Sequence, residues 1–295
     1  MIIDKNEVER LVDLGLLYVK KYTEGVYKGL SVLKYTRKCF FDNQWYVSPL
    51  LLECRGLVID ENYKVIVRPL KKVFNVGENN TQLDPNKTYE TYLKVNGFMC
   101  AVTYTADYGM IVSTTGTLDS NYVEMAKELL SITENNRLKG NYTLVYEICH
   151  PEDPHIIQEE LGVYFLGYRD IDTGEFYPNV FLSQGFTKGE KLTSPEYFKN
   201  DKTEGRMIFE DGVMVAKMKS PYYLSKKAIQ RMGLATIRTL FDDTDKFKQR
   251  IDEEFYELVD DIVSCYTKES WYEFTEQERS TIITDYFEGK WRVND

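Results

Sequence analysis

Histidine is nearly missing from this chain: only His150 and His155 occur among 295 residues. A zinc centre or a histidine-based catalytic triad is therefore hard to build. The five cysteines, at 39, 54, 100, 149 and 265, form no Cys-x-x-C pair. An odd, unpatterned set points to free thiols in a reducing compartment, hence to the cytoplasm, or the host's cytoplasm if the source is a virus. No apolar run approaches the roughly 20 residues that a membrane-spanning helix needs. The first residues, Met1-Ile2-Ile3-Asp4-Lys5, turn acidic at once and do not read as a secretory signal. Three nucleotide and acyl-transfer signatures are also missing: G-x-x-x-x-G-K-[ST], G-x-G-x-x-G and G-x-S-x-G.

Aromatic residues are plentiful, with 23 tyrosines and 15 phenylalanines. Most of them belong in a core, but their faces also suit base stacking. The net charge of −10 argues at first against a nucleic-acid partner. Its distribution removes the objection: residues 241–295 carry a net of −9, which leaves −1 for residues 1–240. The larger part of the chain can hold a local basic cleft.

Residues 5–24 carry apolar side chains near helical spacing (Val8, Leu11, Val12, Leu16, Val19), which predicts an amphipathic helix interrupted only by Gly15. Residues 30–50 are irregular, basic and aromatic, and fit a strand pair on the rim of a cleft. Residues 52–60 and 64–70 read as a β-hairpin. Residues 89–115 give three short strands around the turn signals Asn96-Gly97 and Asp107-Tyr108-Gly109, with a helix over 119–131 after them. Further strands are expected at 142–149, 163–168, 175–177, 206–209 and 213–219. After Tyr223 the period turns helical, near 225–243, 246–268 and 275–287. The expectation is an α+β chain with a mixed, mostly antiparallel core at 1–223 and a small all-helical C-terminal domain at 224–295.

Lys94 ends one of the expected strands just before Asn96-Gly97. A lysine there is ordinarily solvated surface, so its meaning depends on partners elsewhere. Glu147 lies on a strand, Glu204 precedes Gly205, and Lys217 and Lys219 share one face of a strand by the period of two. Two ammonium groups facing one way call for an anion between them, although edge strands also carry such pairs. In order, Lys94-Val95-Asn96-Gly97, Tyr146-Glu147-Ile148, Glu204-Gly205 and Lys217-Met218-Lys219 resemble the motifs of the covalent nucleotidyltransferases, the polynucleotide ligases and capping enzymes. Within that superfamily the flanks look like the phage-type RNA ligase 1 family: Glu53-Cys54-Arg55-Gly56, the run from Arg68-Pro69 to Phe74-Asn75, the segment Val163 to Arg169, and Lys217 to Tyr223. Asn96 stands where the family usually has aspartate, as in fungal-type tRNA ligases, and Val73 where a first phenylalanine is usual.

The resemblance implies an ATP-grasp-like ligase core and an ATP-dependent RNA ligase that seals 5′-phosphate and 3′-hydroxyl ends. It implies Lys94 as the nucleophile that carries AMP, with Lys217 and Lys219 on the α-phosphate. Arg55 and Lys72 would contact phosphates, Phe74 would stack on adenine, and Gly97 would let the backbone approach the nucleotide. Glu147 would bond the ribose and Glu204 would coordinate Mg²⁺, with Mn²⁺ as a substitute. The partner is RNA, nicked tRNA among the candidates, and the protein is expected as a monomer off the membrane. The alternatives are an adenylyltransferase module of a tRNA-ligase-like repair enzyme and a non-catalytic nucleotide- or RNA-binding module.

Overall fold

The computed structural model describes residues 1–132, 141–153, 155–251, 253–287 and 290. The chain opens with α1 (Lys5–Asp13), β1 (Leu17–Lys21), β2 (Ser31–Tyr35), α2 (Arg37–Phe41), α3 (Leu50–Glu53), β3 (Arg55–Ile59) and β4 (Val65–Val67). These strands form an antiparallel sheet in the order β1-β2-β3-β4. Next come β5 (Thr88–Leu93), β6 (Phe98–Thr105), β7 (Gly109–Ser113), α4 (Asn121–Ile132), β8 (Tyr142–Cys149), β9 (Gly162–Asp170) and β10 (Phe176–Pro178). β11 (Ser183–Lys188), α5 (Gly189–Leu192), β12 (Gly205–Glu210) and β13 (Val213–Lys219) complete the β region. A second sheet runs β10-β9-β8-β6-β7, and a third runs β11-β5-β12-β13.

The second and third sheets share a core of Leu70, Val73, Tyr92, Met99, Val145, Phe209 and Met214. The first sheet packs against α1 and the residue 36–54 segment through Leu11, Leu33, Trp45, Leu51 and Leu57, and against the second sheet through Val32, Val58 and Val67 with Ala101 and Ile111. An ion-pair knot joins the parts. Glu53 takes a two-pronged grip from Arg169 at 2.7 and 2.8 Å and a looser one from Arg68 at 3.3 Å. Arg169 also donates to the Pro69 carbonyl at 2.6 Å, and Arg68 to that of Ile171 at 3.0 Å. Burial opposes ionisation of Glu53, but the two guanidinium groups outweigh it and hold the carboxyl below its ordinary range.

Beyond Lys219 the described elements are helices: α6 (Pro221–Gln230), α7 (Leu234–Asp242), α8 (Thr244–Lys248), α9 (Tyr256–Cys265), α10 (Lys268–Glu273) and α11 (Glu276–Phe287). They enclose their own core around Phe247, Phe255, Leu258, Ile262 and Trp271. Arg279 is buried there and donates to the carbonyls of Trp271 and Tyr272, which the end of α10 leaves without partners, and to that of Met232. No helix among the described residues is long and apolar enough to cross a membrane.

Three expectations fail locally. The helix expected over 5–24 stops at Asp13, because Gly15 takes φ +70° and the chain re-enters as β1, where Leu17 and Val19 pair with Tyr35 and Leu33. Residues 30–50 give one strand rather than a pair, followed by α2 and a single 3₁₀ turn at Gln44–Val47. The segment 246–268 is divided, with Asp252 outside the described residues: α8 ends at Lys248, α9 starts at Tyr256, and Thr267 and Ser270 cap the start of α10 reciprocally.

A fourth correction concerns the site. Asn96-Gly97 is not a hairpin turn. β5 pairs with β11 and β12, whereas β6 pairs with β7 and β8, so the dipeptide carries the chain from one sheet to another. Gly97 has no positive φ. It is needed for close approach instead: a Cβ there would collide with the carbonyl of Ile148 on β8.

Candidate active site

Lys94 follows the last residue of β5, and its N–H donates to the Gly205 carbonyl at 3.0 Å. On the next strand pair Gly205 lies opposite Lys219, which sets Lys94, Gly205 and Lys219 in one row across three strands. Gly205 takes φ +141°, a conformation that L side chains rarely adopt, and a Cβ there would run into the Met218 carbonyl. Glu204, just before it, is buried and receives three donors. Lys94 Nζ reaches Oε2 at 2.7 Å, Asn96 Nδ2 reaches the same oxygen at 2.9 Å, and Lys219 Nζ lies 3.2 Å from Oε1. Burial works against this carboxylate, yet Lys94 and Lys219 hold it below its ordinary range.

Asn96 suits its place because its amide has both a donor and an acceptor. While Nδ2 donates to Glu204, Oδ1 accepts from the Ile157 N–H at 2.8 Å, and the Asn96 N–H donates to Glu159 at 3.3 Å. The segment around 157–159 is thereby tied to the lysine's own turn. Glu159 was not singled out in the sequence, since it lies on a loop with no periodic signal. Burial raises its carboxyl above the ordinary range, with the Asn96 N–H opposing.

Beside Lys94 a cavity of about 280 Å³ opens between the second and third sheets. Leu70, Val73, Met99, Leu166, Phe176 and Phe209 form its apolar wall, and Arg55, Lys72, Lys94, Lys217 and Glu147 its charged one. Glu147, on β8 opposite Met99, accepts the Gly97 N–H at 3.2 Å. Burial is the main reason its carboxyl is raised; Lys94 counters that and Glu204 adds to it.

The cations crowd one another. Lys217, held by its backbone N–H to the Phe74 carbonyl at 3.0 Å, has no carboxylate within 4 Å among the described residues. Burial, then Lys72, Lys94, Arg55 and Lys219, push its amine down to about 7. Lys72 is lowered too, by burial first, with Glu78 opposing and Arg55 and Lys219 adding to the shift. Such a cluster holds its charge at lowest cost with a polyanion among it.

Of the nine residues expected at the site, Arg55, Lys72, Lys94, Glu147 and Lys217 line this cavity. Glu204 adjoins Lys94, Lys219 adjoins Glu204, and Gly97 adjoins Glu147. Phe74 does not line it. Its ring packs edge-on against Trp45 at 5.4 Å and lies under Lys72 Nζ at 5.0 Å. The apolar wall went unrecognised because its members arrive from five separate strands and loops, each reading as ordinary core. The residues Glu53, Arg68 and Arg169, quoted as family motifs, lie in the ion-pair knot rather than at the cavity.

The model of a protein family described as RNA ligase matches residues 53–223, more than half of the chain. Two solved forms of an archaeal ATP-dependent RNA ligase superpose over 96% of this chain and 76% of theirs. Their identities are 15% and 14% and their TM-scores 0.55 and 0.54, which speaks for a shared fold. A Naegleria gruberi RNA ligase solved with pyrophosphate aligns over 52% of this chain and 56% of its own, at 19% identity and a TM-score of 0.40. No curated protein matches the sequence. The fold is the ligase nucleotidyltransferase fold, an α+β core followed by a helical C-terminal region, and the chain belongs to the phage-type RNA ligase family.

Proposed function

We propose that this protein is an ATP-dependent RNA ligase that joins 5′-phosphate and 3′-hydroxyl ends through AMP carried on Lys94. The observation that carries this reading is Lys94 on the wall of a base-sized cavity, amid Arg55, Lys72, Lys217 and Lys219, with Glu204, Glu147 and Glu78 as the carboxylates that act on them. ATP, the substrate, would place its base against the apolar wall and its phosphates among Arg55, Lys72, Lys217 and Lys219. The Lys94 amine then attacks the α-phosphorus, a P–N bond forms, and the bond to the β-phosphate oxygen breaks. Pyrophosphate leaves with that electron pair. Glu204, already 2.7 Å from Nζ, is placed to take the amine's proton. Lys217 and Lys219 stabilise the charge that builds on the α-phosphate oxygens. AMP next passes to the RNA 5′-phosphate, and the 3′-hydroxyl displaces it.

Among the described residues no three His, Cys, Asp or Glu side chains are grouped to hold a metal ion unaided. A divalent cation would enter with the triphosphate, and the nearby oxygen donors suit Mg²⁺ or Mn²⁺ chemically. It supplies charge neutralisation. Glu204 can serve it only by exchanging one of its present lysine or asparagine contacts. Glu147 is the carboxylate placed to bond a ribose hydroxyl from the cavity wall. We assign residues 1–223 to the adenylyltransferase domain and 224–295 to the helical one.

The test is a sealing assay. A 5′-phosphorylated, 3′-hydroxyl RNA with ATP and Mg²⁺ should yield joined product and, early in the course, 5′-adenylated RNA. RNA that is joined without ATP, or is never joined or adenylated, refutes the assignment.

A further inference from the structure

An aromatic series leads away from the cavity along its first-sheet side. Tyr35 lines the cavity and meets Trp45 edge-on at 4.8 Å; Trp45 meets Phe40 at 6.3 Å, and Phe40 meets Phe41 at 5.3 Å. Exposure grows along it: Trp45 is 5% exposed, Phe40 46%, Phe41 75%, and neighbouring Tyr46 81%. Lys72, itself part of the cavity wall, sits over the Phe40 ring at 5.2 Å. Rings as exposed as Phe41 and Tyr46 gain little from folding, and each costs solubility. The same stretch of sequence, residues 34–46, carries Lys34, Arg37 and Lys38 against Asp42, in a chain whose net charge is −10.

We infer that Phe40, Phe41 and Tyr46 form a stacking platform for the single-stranded RNA that leads to the end held at the cavity. Three features select this occupant over an apolar protein partner. The patch is continuous with the cavity, the cations match a phosphate backbone, and Phe41 and Tyr46 are exposed enough for bases to reach their rings. Base–aromatic stacking tolerates any sequence, because every base has a π-face. The assignment to RNA rests on the ligase reading above, yet it can be tested without catalysis.

The experiment is fluorescence anisotropy of the full-length protein with a labelled, 5′-phosphorylated single-stranded RNA, without ATP. Alongside it, uptake of α-labelled ATP is measured without RNA. The F41A/Y46A double variant should bind RNA at least about tenfold more weakly. F41Y/Y46F, which keeps both rings, should bind like the parent. Both variants should take up label like the parent, because neither position touches the cavity. Binding by F41A/Y46A within about twofold of the parent, or no binding by the parent, would overturn the platform. RNA binding that depends on the rings, in a protein that takes up no label, would keep the platform and refute the ligase reading.

Discussion

Replacing Lys217 by methionine should stabilise the protein while abolishing its charging by ATP. Methionine keeps the length and apolar stem of the side chain but removes the charge. Burial and four neighbouring cations hold the Lys217 amine at about 7, against an ordinary value near 10.5. One unit is worth about 1.4 kcal/mol, so the fully protonated amine costs up to about 5 kcal/mol. At pH 7, where half of it is already neutral, the cost is roughly 2–4 kcal/mol after allowance for solvent reaching the cavity. The sign follows from proton binding. Between pH 7 and 10 the unfolded chain keeps a proton on this lysine that the folded chain has shed, so the parent gains stability as pH rises. K217M lacks that proton in both states. Urea midpoints should therefore favour K217M by roughly 2–4 kcal/mol at pH 7 and by under about 1 kcal/mol at pH 10. Binding of ATP should restore the charge in the parent. Calorimetry at pH 8 in buffers of different ionisation enthalpy should show uptake of close to one proton per ATP, absent in K217M. A K217M that is less stable at pH 7, or a difference that does not change with pH, refutes the account of the cation cluster.

Other perturbations probe the supports. Asn96→Ala removes the donor to Glu204 and the acceptor for Ile157; it should cost about 2–3 kcal/mol by denaturant titration and slow the uptake of label from ATP. Glu53→Ala leaves Arg68 and Arg169 buried without their anion and should cost about 3–5 kcal/mol. In the parent, the depressed Glu53 carboxyl contributes stability that is present above its unfolded value and lost as pH falls through its folded one. The gap between parent and E53A should therefore narrow in acid, read as urea midpoints at pH 7 and pH 3.

The strands were legible where local period and turn chemistry coincide, as in the β12–β13 hairpin around Glu210-Asp211-Gly212. Lys217 and Lys219 could be placed on one strand face for the same reason, since the period of two needs only the local sequence. Asn96-Gly97 was misread because the dipeptide favours a tight turn, whereas strand partners are set by packing of sheets far apart in sequence. Residues 5–24 were misread because Leu16 and Val19 continue the helical spacing by coincidence, while the backbone conformation of Gly15 breaks it. Eight of the nine residues that the resemblance singled out lie at the cavity or its edge, but the frame-holding role of the other motif residues could not be read. Glu53, Arg68 and Arg169 meet only in three dimensions, and Phe74 turns toward Trp45 rather than into the cavity. Asn96 shows the opposite case: its departure from the family's aspartate becomes intelligible once Glu204 and the Ile157 N–H are seen on either side.

The central claim is a covalent bond between Lys94 and AMP. Incubation with α-labelled ATP and Mg²⁺, denaturing electrophoresis and peptide mapping test it directly. The parent should retain label on the peptide that contains Lys94, and Lys94→Arg should retain none, because arginine keeps its charge and does not deprotonate to attack phosphorus. Label retained by K94R, or mapped in the parent to a different lysine, would contradict the account.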